Sequence, residues 1–586
     1  MPHPLNLQGS PMFTRLPRLP MSLLICTLLA QLLFSAPPLL LAGEPQALPA
    51  TERIKQRFTS EEGRSWLTAG EESVYSYDMA AVFYQKREYR PAWAGSDSRF
   101  PQADALISSI LQAYEEGLTP EYYHIKPVEA LLAALRARLA NNLTPDPAQV
   151  ADLDVLLTDA FLLLSCHLSN GCINPVMLKA EWFAHNEKMD VTALLEKSLK
   201  ENRIKETLTD LTPKEKLYTR LRPALARYRE LAAQYPAWPE IPFASPSLKK
   251  GMRDGRIPAI RQRLAVLGDL PAGENINDDF FDAALVRAVL SFQTRHGLDA
   301  DGVIGAKTIG AFNVSPAKRV RQIEINLERL RWSFRNPGKR YLLVNIANFE
   351  LDVVEEGETV MTMRVVVGKP FWDTPVFSKK MSYLVLNPPW NIPRSIAVEE
   401  ILPKVRRDRQ YLLKNNIRVL RNGSTIQGQQ LQAIEWSRLS IDNFPYQLRQ
   451  DPGPANPLGS IKFMFPNEFD VYLHDSPNKG LFQRSVRAFS HGCIRIEKPV
   501  ELAIHLLRDS QKWTRETLLA AIREGREQTV PLPQPLPVHL LYLTAWVDGK
   551  QTVQFRDDIY GRDRVLDESL PANQLPAKMG NTSKAP

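Results

Sequence analysis

Near the end of the chain, Phe489-Ser490-His491-Gly492-Cys493-Ile494-Arg495-Ile496 sets a cysteine directly after a glycine, two residues past a histidine and two before an arginine. Nineteen residues upstream of Cys493, the alternating run Val471-Tyr472-Leu473 ends on His474, followed by Asp475. A cysteine becomes a nucleophile when a base or cation favours its thiolate and the backbone around it is open. His474 can take the thiol proton, and an ion pair between the two would depress the cysteine from its ordinary value of about 8.5. Gly492 lets the chain pass close to a bound carbonyl. The amides of Gly492 and Cys493 are candidates for an oxyanion hole, where one donor contributes on the order of 3 kcal/mol to the barrier. Arg495 offers a fixed positive charge suited to a carboxylate.

Residue types alone leave other readings open. Cys493 can be an inert buried thiol. His474, His491 and Cys493 can be metal ligands, although no fourth ligand is evident and we expect neither metal nor cofactor. Arg495 can be a solvated surface charge. What the spacing supports is acyl transfer through a cysteine, without naming the acyl group or the acceptor.

The elements that must hold these residues are strands. From Arg340 onward, Tyr341–Ile346, Met363–Gly368, Met381–Leu386, Ile461–Phe465 and Val471–Leu473 carry β-branched, apolar and alternating patterns. Turns at Glu356-Gly357, Gly368-Lys369-Pro370 and Asn387-Pro388-Pro389 separate the early ones. A long excursion between residues 395 and 450 interrupts the strands. It predicts helical pieces on both sides of Pro403, from Ile396 to about Leu413, and its length suits a lid or binding excursion as well as a solvated insertion with no role. Before this region, residues 250–315 read as a small helical unit. Phe281, Leu285, Val289 and Phe292 line one face of a helix from Phe280 to His296, stopped by Gly297. Residues 44–245 read as a mostly helical scaffold, in which His124, His167 and His185 are scattered and form no catalytic group.

The 586 residues are too many for one core. With 73 basic and 65 acidic residues the formal charge is +8. That is mild for this length, and no basic run interleaved with aromatics points to nucleic acid. Arg15 and Arg18 precede the apolar run Met21–Phe34, and Leu39-Leu40-Leu41-Ala42-Gly43 follows. This is the pattern of a secretory signal or a retained membrane anchor, with the remainder outside the cytoplasm. No later stretch reaches the roughly 18 apolar residues of a membrane span. Of four cysteines, Cys26 lies in that segment. Cys166 and Cys172 can pair only if the helix between them stops at Asn170-Gly171. Cys493 is then an odd thiol.

Taken together, His474 followed by Ser490-His491-Gly492-Cys493 resembles the signature of the L,D-transpeptidases, the YkuD-type cysteine enzymes of bacterial peptidoglycan. Arg495 stands where many members carry Asn and matches a large Gram-negative subgroup. Phe292-Gln293-Thr294-Arg295-His296-Gly297-Leu298 and Asp301-Gly302-Val303-Ile304-Gly305 resemble a peptidoglycan-binding three-helix domain. Asn387-Pro388-Pro389-Trp390, Gln450-Asp451-Pro452-Gly453 and Leu458-Gly459-Ser460-Ile461-Lys462-Phe463 resemble that subgroup's catalytic domain. The resemblance implies a multidomain α+β chain. Its parts are an export segment (1–43), a helical scaffold (44–245), a three-helix peptidoglycan-binding domain (250–315), a β-rich, sandwich-like catalytic domain (338–530) with a helical capping insertion (395–450), and a C-terminal segment (531–586) packing on the scaffold with a disordered tail.

It also implies a periplasmic enzyme that forms 3→3 cross-links. Cys493 attacks the third residue of a tetrapeptide stem and releases D-alanine, with His474 as base, a backbone carbonyl near Asp475 orienting its ring, and His491 lining the site. Arg495, Ser490, Asp475, Tyr472 and Trp390 are the implied substrate-binding residues, glycan strands and stem peptides the partners, and carbapenems the expected inhibitors. An L,D-carboxypeptidase, an enzyme attaching a protein to the stem, or a non-catalytic wall-binding protein are the alternatives.

Overall fold

In the computed structural model, the described residues are 48–60, 67–95, 99–173, 189–333 and 337–570. The export segment expected at 1–43 and the tail beyond 570 lie outside them. No helix among the described residues is long and apolar enough to cross a membrane.

The scaffold is built around α1 (Pro147–Asn170). Asp146 caps it by accepting from the Ala148 amide at 2.9 Å, and Pro147 occupies the first turn, where its missing N–H costs nothing. Leu153, Val155, Leu156, Leu157, Leu162 and Leu163 are fully buried on all sides of the helix, as a central core helix requires. The helix stops at Asn170, as the Asn170-Gly171 pair predicts, but Cys166 and Cys172 are free thiols, as is Cys493.

The small helical unit comprises α2 (Ile257–Leu267), α3 (Ala283–Arg295) and α4 (Ala306–Phe312). The expected apolar face of α3, with Phe281 just before it, is the core of this unit: Phe281, Leu285, Val289 and Phe292 are fully buried. Gln293 explains the Asp301-Gly302-Val303 motif. Its amide nitrogen donates to Asp301 Oδ1 (3.0 Å) and the Val303 carbonyl (2.9 Å), and its oxygen accepts from the Gly302 amide (2.9 Å).

Helix α5 (Pro316–Ser333) joins this unit to the β domain. Asn326 Nδ2 donates to Thr544 Oγ1 at 2.8 Å, and Arg331 pairs with Glu328 at 2.7 Å, all four side chains being buried.

The β domain contains β1 (Arg340–Asn345), β2 (Glu350–Glu355), β3 (Glu358–Gly368), β4 (Phe377–Leu386), β5 (Trp390–Ile392), β6 (Ile417–Arg421), β7 (Ser424–Ile426), β8 (Gln447–Gln450), β9 (Ile461–Met464), β10 (Leu473–His474), β11 (Ala488–Ser490), β12 (Ile494–Ile496) and β13 (Gln528–Leu541). Its main sheet runs β11-β3-β12-β10-β9-β4-β13-β1-β2, and β2 also pairs with β3, so the sheet closes on itself. Closure leaves few free edges.

Strand β13 crosses the expected boundary at 530/531. Its first part pairs with β4 and its last part with both β4 and β1, so the β domain continues past 530. It does not read as a strand because Pro531, Pro533, Pro535 and Pro537 lie within it. Pro533 and Pro535 fall in a register shift between Pro531 and Leu536, where ladder hydrogen bonds are not required.

The excursion begins earlier than expected, at β5, and is more than helices. Strands β5-β8-β6-β7 form a sheet of their own, and Ile401, Leu402, Val405, Val419, Trp436 and Phe444 form a separate core. The helical pieces around Pro403 are present as Arg394–Ile396, a π-helical turn Ala397–Ile401 and Leu402–Arg407.

Candidate active site

Strands β9, β10 and β12 lie side by side. Lys462 faces His474 in the antiparallel β9–β10 pair, and His474 faces Arg495 in the parallel β10–β12 pair. The Ile494 amide donates to the Tyr472 carbonyl at 3.1 Å, which sets Cys493 alongside Tyr472. Side chains alternate along a strand. Ile461, Phe463, Leu473, Ile494 and Ile496 therefore enter the core, where all five are fully buried. Lys462, Tyr472, His474, Cys493 and Arg495 share the opposite face. His474 is two residues along the ladder from the level of Cys493, about 7 Å of strand.

His474 is buried, and its Nδ1 lies 2.6 Å from the Asp475 carbonyl oxygen. Nδ1 donates to that oxygen, which leaves Nε2 with the ring's lone pair. Burial, then the nearby charge of Arg495, pushes the ring down to about 3, against the opposing pull of the Asp475 carbonyl. The ring is neutral at any working pH.

Cys493 is half-buried, and its Sγ contacts the Asp470 carbonyl at 3.7 Å. Burial pushes the thiol up, while the amide and hydroxyl of Tyr472 and the charge of Lys462 pull it down. The resting pair is thus a thiol and a neutral imidazole. The expected ion pair with a depressed thiol is not what the structure holds, because burial disfavours both charges.

Gly492 has φ +110°, a conformation that side chains rarely adopt. Its amide donates to Ser490 Oγ at 3.2 Å, and Ser490 Oγ donates to the Cys493 carbonyl at 2.5 Å. Ser490 is buried and ties the turn together, so an oxyanion role for the Gly492 amide has to compete with that bond.

His491 Nε2 lies 2.8 Å from Glu400 Oε1 on the capping insertion, and its ring lies against Trp372 with centroids 4.4 Å apart. The Asp475 carboxylate, implied to bind substrate, is engaged within the fold. It accepts from the amides of Ser460 (2.9 Å) and Ser476 (2.6 Å) and from Lys479 (2.6 Å). Trp390 pairs with Gln450 across β5–β8 and packs on the capping core. Arg495 is half-buried, and its Nε is enclosed without a hydrogen-bond partner.

The support beneath the Cys493 turn was not foreseen. Thr374 Oγ1 donates to the Gly492 carbonyl at 2.8 Å and accepts from the Gly368 amide at 3.0 Å. The Tyr560 hydroxyl donates to the Gly368 carbonyl at 2.7 Å. A Cβ at Gly368 would fall 1.9 Å from the Trp372 carbonyl oxygen, so only glycine fits. The Gly368-Lys369-Pro370 turn was a visible signal, but nothing local links it to Gly492, far along the chain.

Three family models match the chain. One described as "Scaffold domain" matches residues 78–225, one described as "Putative peptidoglycan binding domain" matches 253–312, and YkuD, described as "L,D-transpeptidase catalytic domain", matches 339–515. A curated protein of Haemophilus influenzae named "Putative L,D-transpeptidase" is 37% identical over 249 residues, covering 42% of this chain and 49% of that protein. The chain spans about half the length of that relative. Among solved structures, an L,D-transpeptidase from Xylanimonas cellulosilytica is 16% identical, over 51% of this chain and 100% of its own, with a TM-score of 0.16. One from Stackebrandtia nassauensis is 12% identical, over 52% and 97%, with a TM-score of 0.19. Both scores are too low to bear on fold or function. Residues 339–515 thus match the L,D-transpeptidase catalytic domain, in a chain whose earlier residues match a scaffold domain and a peptidoglycan-binding domain.

Proposed function

We propose that this protein is a cell-envelope L,D-transpeptidase that forms 3→3 cross-links in peptidoglycan. The observation that carries the reading is the shared strand face of Tyr472, His474, Cys493 and Arg495 beside the capping insertion. The Cys493 thiol gives its proton to His474 Nε2, and the sulfur attacks the carbonyl of the third stem residue. The C–N bond to the terminal D-alanine breaks, and the amine leaves with the proton from the imidazolium. The side-chain amine of a second stem then attacks the thioester, and the thiol re-forms. Arg495 holds a substrate carboxylate, and His491 and the capping insertion border the donor.

With water in place of the second amine the same steps trim the stem. The test is mass spectrometry of muropeptides after incubation with purified protein. Dimers joined between third residues support the proposal. Tripeptides alone make the protein a carboxypeptidase, and unchanged muropeptides overturn both.

A further inference from the structure

Lys462 shares the strand face of His474 and Cys493 but takes no part in the reaction above. It is half-buried on β9, and its Nζ sits 3.7 Å from the centroid of the Tyr472 ring. Tyr472 is the residue alongside Cys493, because the Ile494 amide donates to the Tyr472 carbonyl at 3.1 Å, and its hydroxyl and amide favour the thiolate. Among the described residues, no carboxylate lies within ion-pair distance of Lys462. A partly buried ammonium with no ion-pair partner is costly unless an anion is present at some stage of the cycle.

The other charged groups around the sulfur do not fill this role as well. His474 is neutral and its Nδ1 is committed to a carbonyl. Arg495 feels Cys493 but also faces Glu400. Asp470 and Glu527 are the acidic groups nearest in influence to Lys462, and Asp470 disfavours a thiolate. The influence of Lys462 and Cys493 is mutual, each favouring the charged form of the other.

We propose that Lys462 supplies the positive charge that stabilises the Cys493 thiolate, reaching it across the Tyr472 ring, while His474 only carries the proton. The proposal rests on Cys493 as the nucleophile. It makes Lys462 and Tyr472 a unit: the ring, on the residue alongside Cys493, holds the ammonium through its face.

The test is the pH dependence of Cys493 alkylation by iodoacetamide, followed by mass spectrometry of the peptide containing Cys493. In this step the thiolate forms the S–C bond and iodide leaves, so the rate follows the thiolate population. Lys462→Met should move the alkylation midpoint to higher pH and slow the reaction at pH 8 on the order of tenfold. Lys462→Arg should restore most of the rate. His474→Asn should leave the midpoint in place while lowering turnover. An unchanged midpoint in Lys462→Met, or a failure of Lys462→Arg to restore it, overturns the proposal. If the Met variant melts early, Lys462→Gln is read by the same criteria. Cross-links formed by Cys493→Ala would overturn the nucleophile assignment instead, whatever the alkylation profile shows.

Discussion

Among the individual residues, Cys493 and His474 share one strand face as two groups that are both neutral at rest. The depressed value of His474 makes stability depend on pH. Its folded value of about 3 lies below the ordinary 6.5, so the unfolded chain binds the proton more readily. The fold therefore loses stability as pH falls below 6.5, at about 1.4 kcal/mol per pH unit until the folded value is approached. His474→Asn should remove that slope. Thermal melts of both proteins between pH 7 and 4 check it: the wild type should fall relative to the variant. A constant difference would mean that the ring is not held neutral. The juxtaposition of Cys493, His474 and Arg495 was legible because the motif is local and the two strands are close in sequence. The resting protonation was not, because it depends on burial. Asp475 illustrates the same limit: the resemblance implied a substrate-binding residue, whereas its carboxylate is taken up by the amides of Ser460 and Ser476.

Among the elements, the Cys493 turn rests on the 368–374 loop. Gly368→Ala forces a Cβ into the Trp372 carbonyl, and overpacking of this kind costs roughly 1–3 kcal/mol. We expect activity to drop at least several-fold with the chain still folded, checked by turnover and by a thermal melt. Full activity would mean that the loop does not position the turn. The capping insertion meets the site through Glu400 and His491. Glu400→Gln should speed hydrogen exchange in residues 394–407, and unchanged exchange would show that this contact does not hold the cap. The helical part of the cap was legible around Pro403. Strand β7 was not, since its three residues are too few to show a pattern; β6 was passed over although Ile417 and Val419 are buried on either side of exposed Arg418. Strand β13 was missed for its prolines, which a bulge tolerates and a propensity reading does not.

Across the molecule, α5 ties the helical units to the β domain through buried polar groups. Arg331 and Glu328 are both fully buried, and the Trp332 indole also donates to Glu328 at 3.0 Å. Removing one partner leaves a buried charge, at a cost of roughly 3–5 kcal/mol. Arg331→Met should lower the thermal midpoint markedly, and an unchanged midpoint would show that the pair is not structural. The division into helical scaffold, small helical unit and β domain was legible from the change in periodicity. The joints between them were not, because Asn326 meets Thr544, and Arg331 reaches the Glu116 carbonyl and the Tyr218 hydroxyl, only in the fold.

Every step proposed for the reaction passes through a thioester between the Cys493 sulfur and the stem. That bond can be weighed: the intact mass of the protein is read after brief mixing with a tetrapeptide stem. The expected adduct equals the stem without its terminal D-alanine, is located on Cys493 and is absent from Cys493→Ala. The same adduct on the Ala variant, or product formed by that variant, would contradict a covalent role for this sulfur.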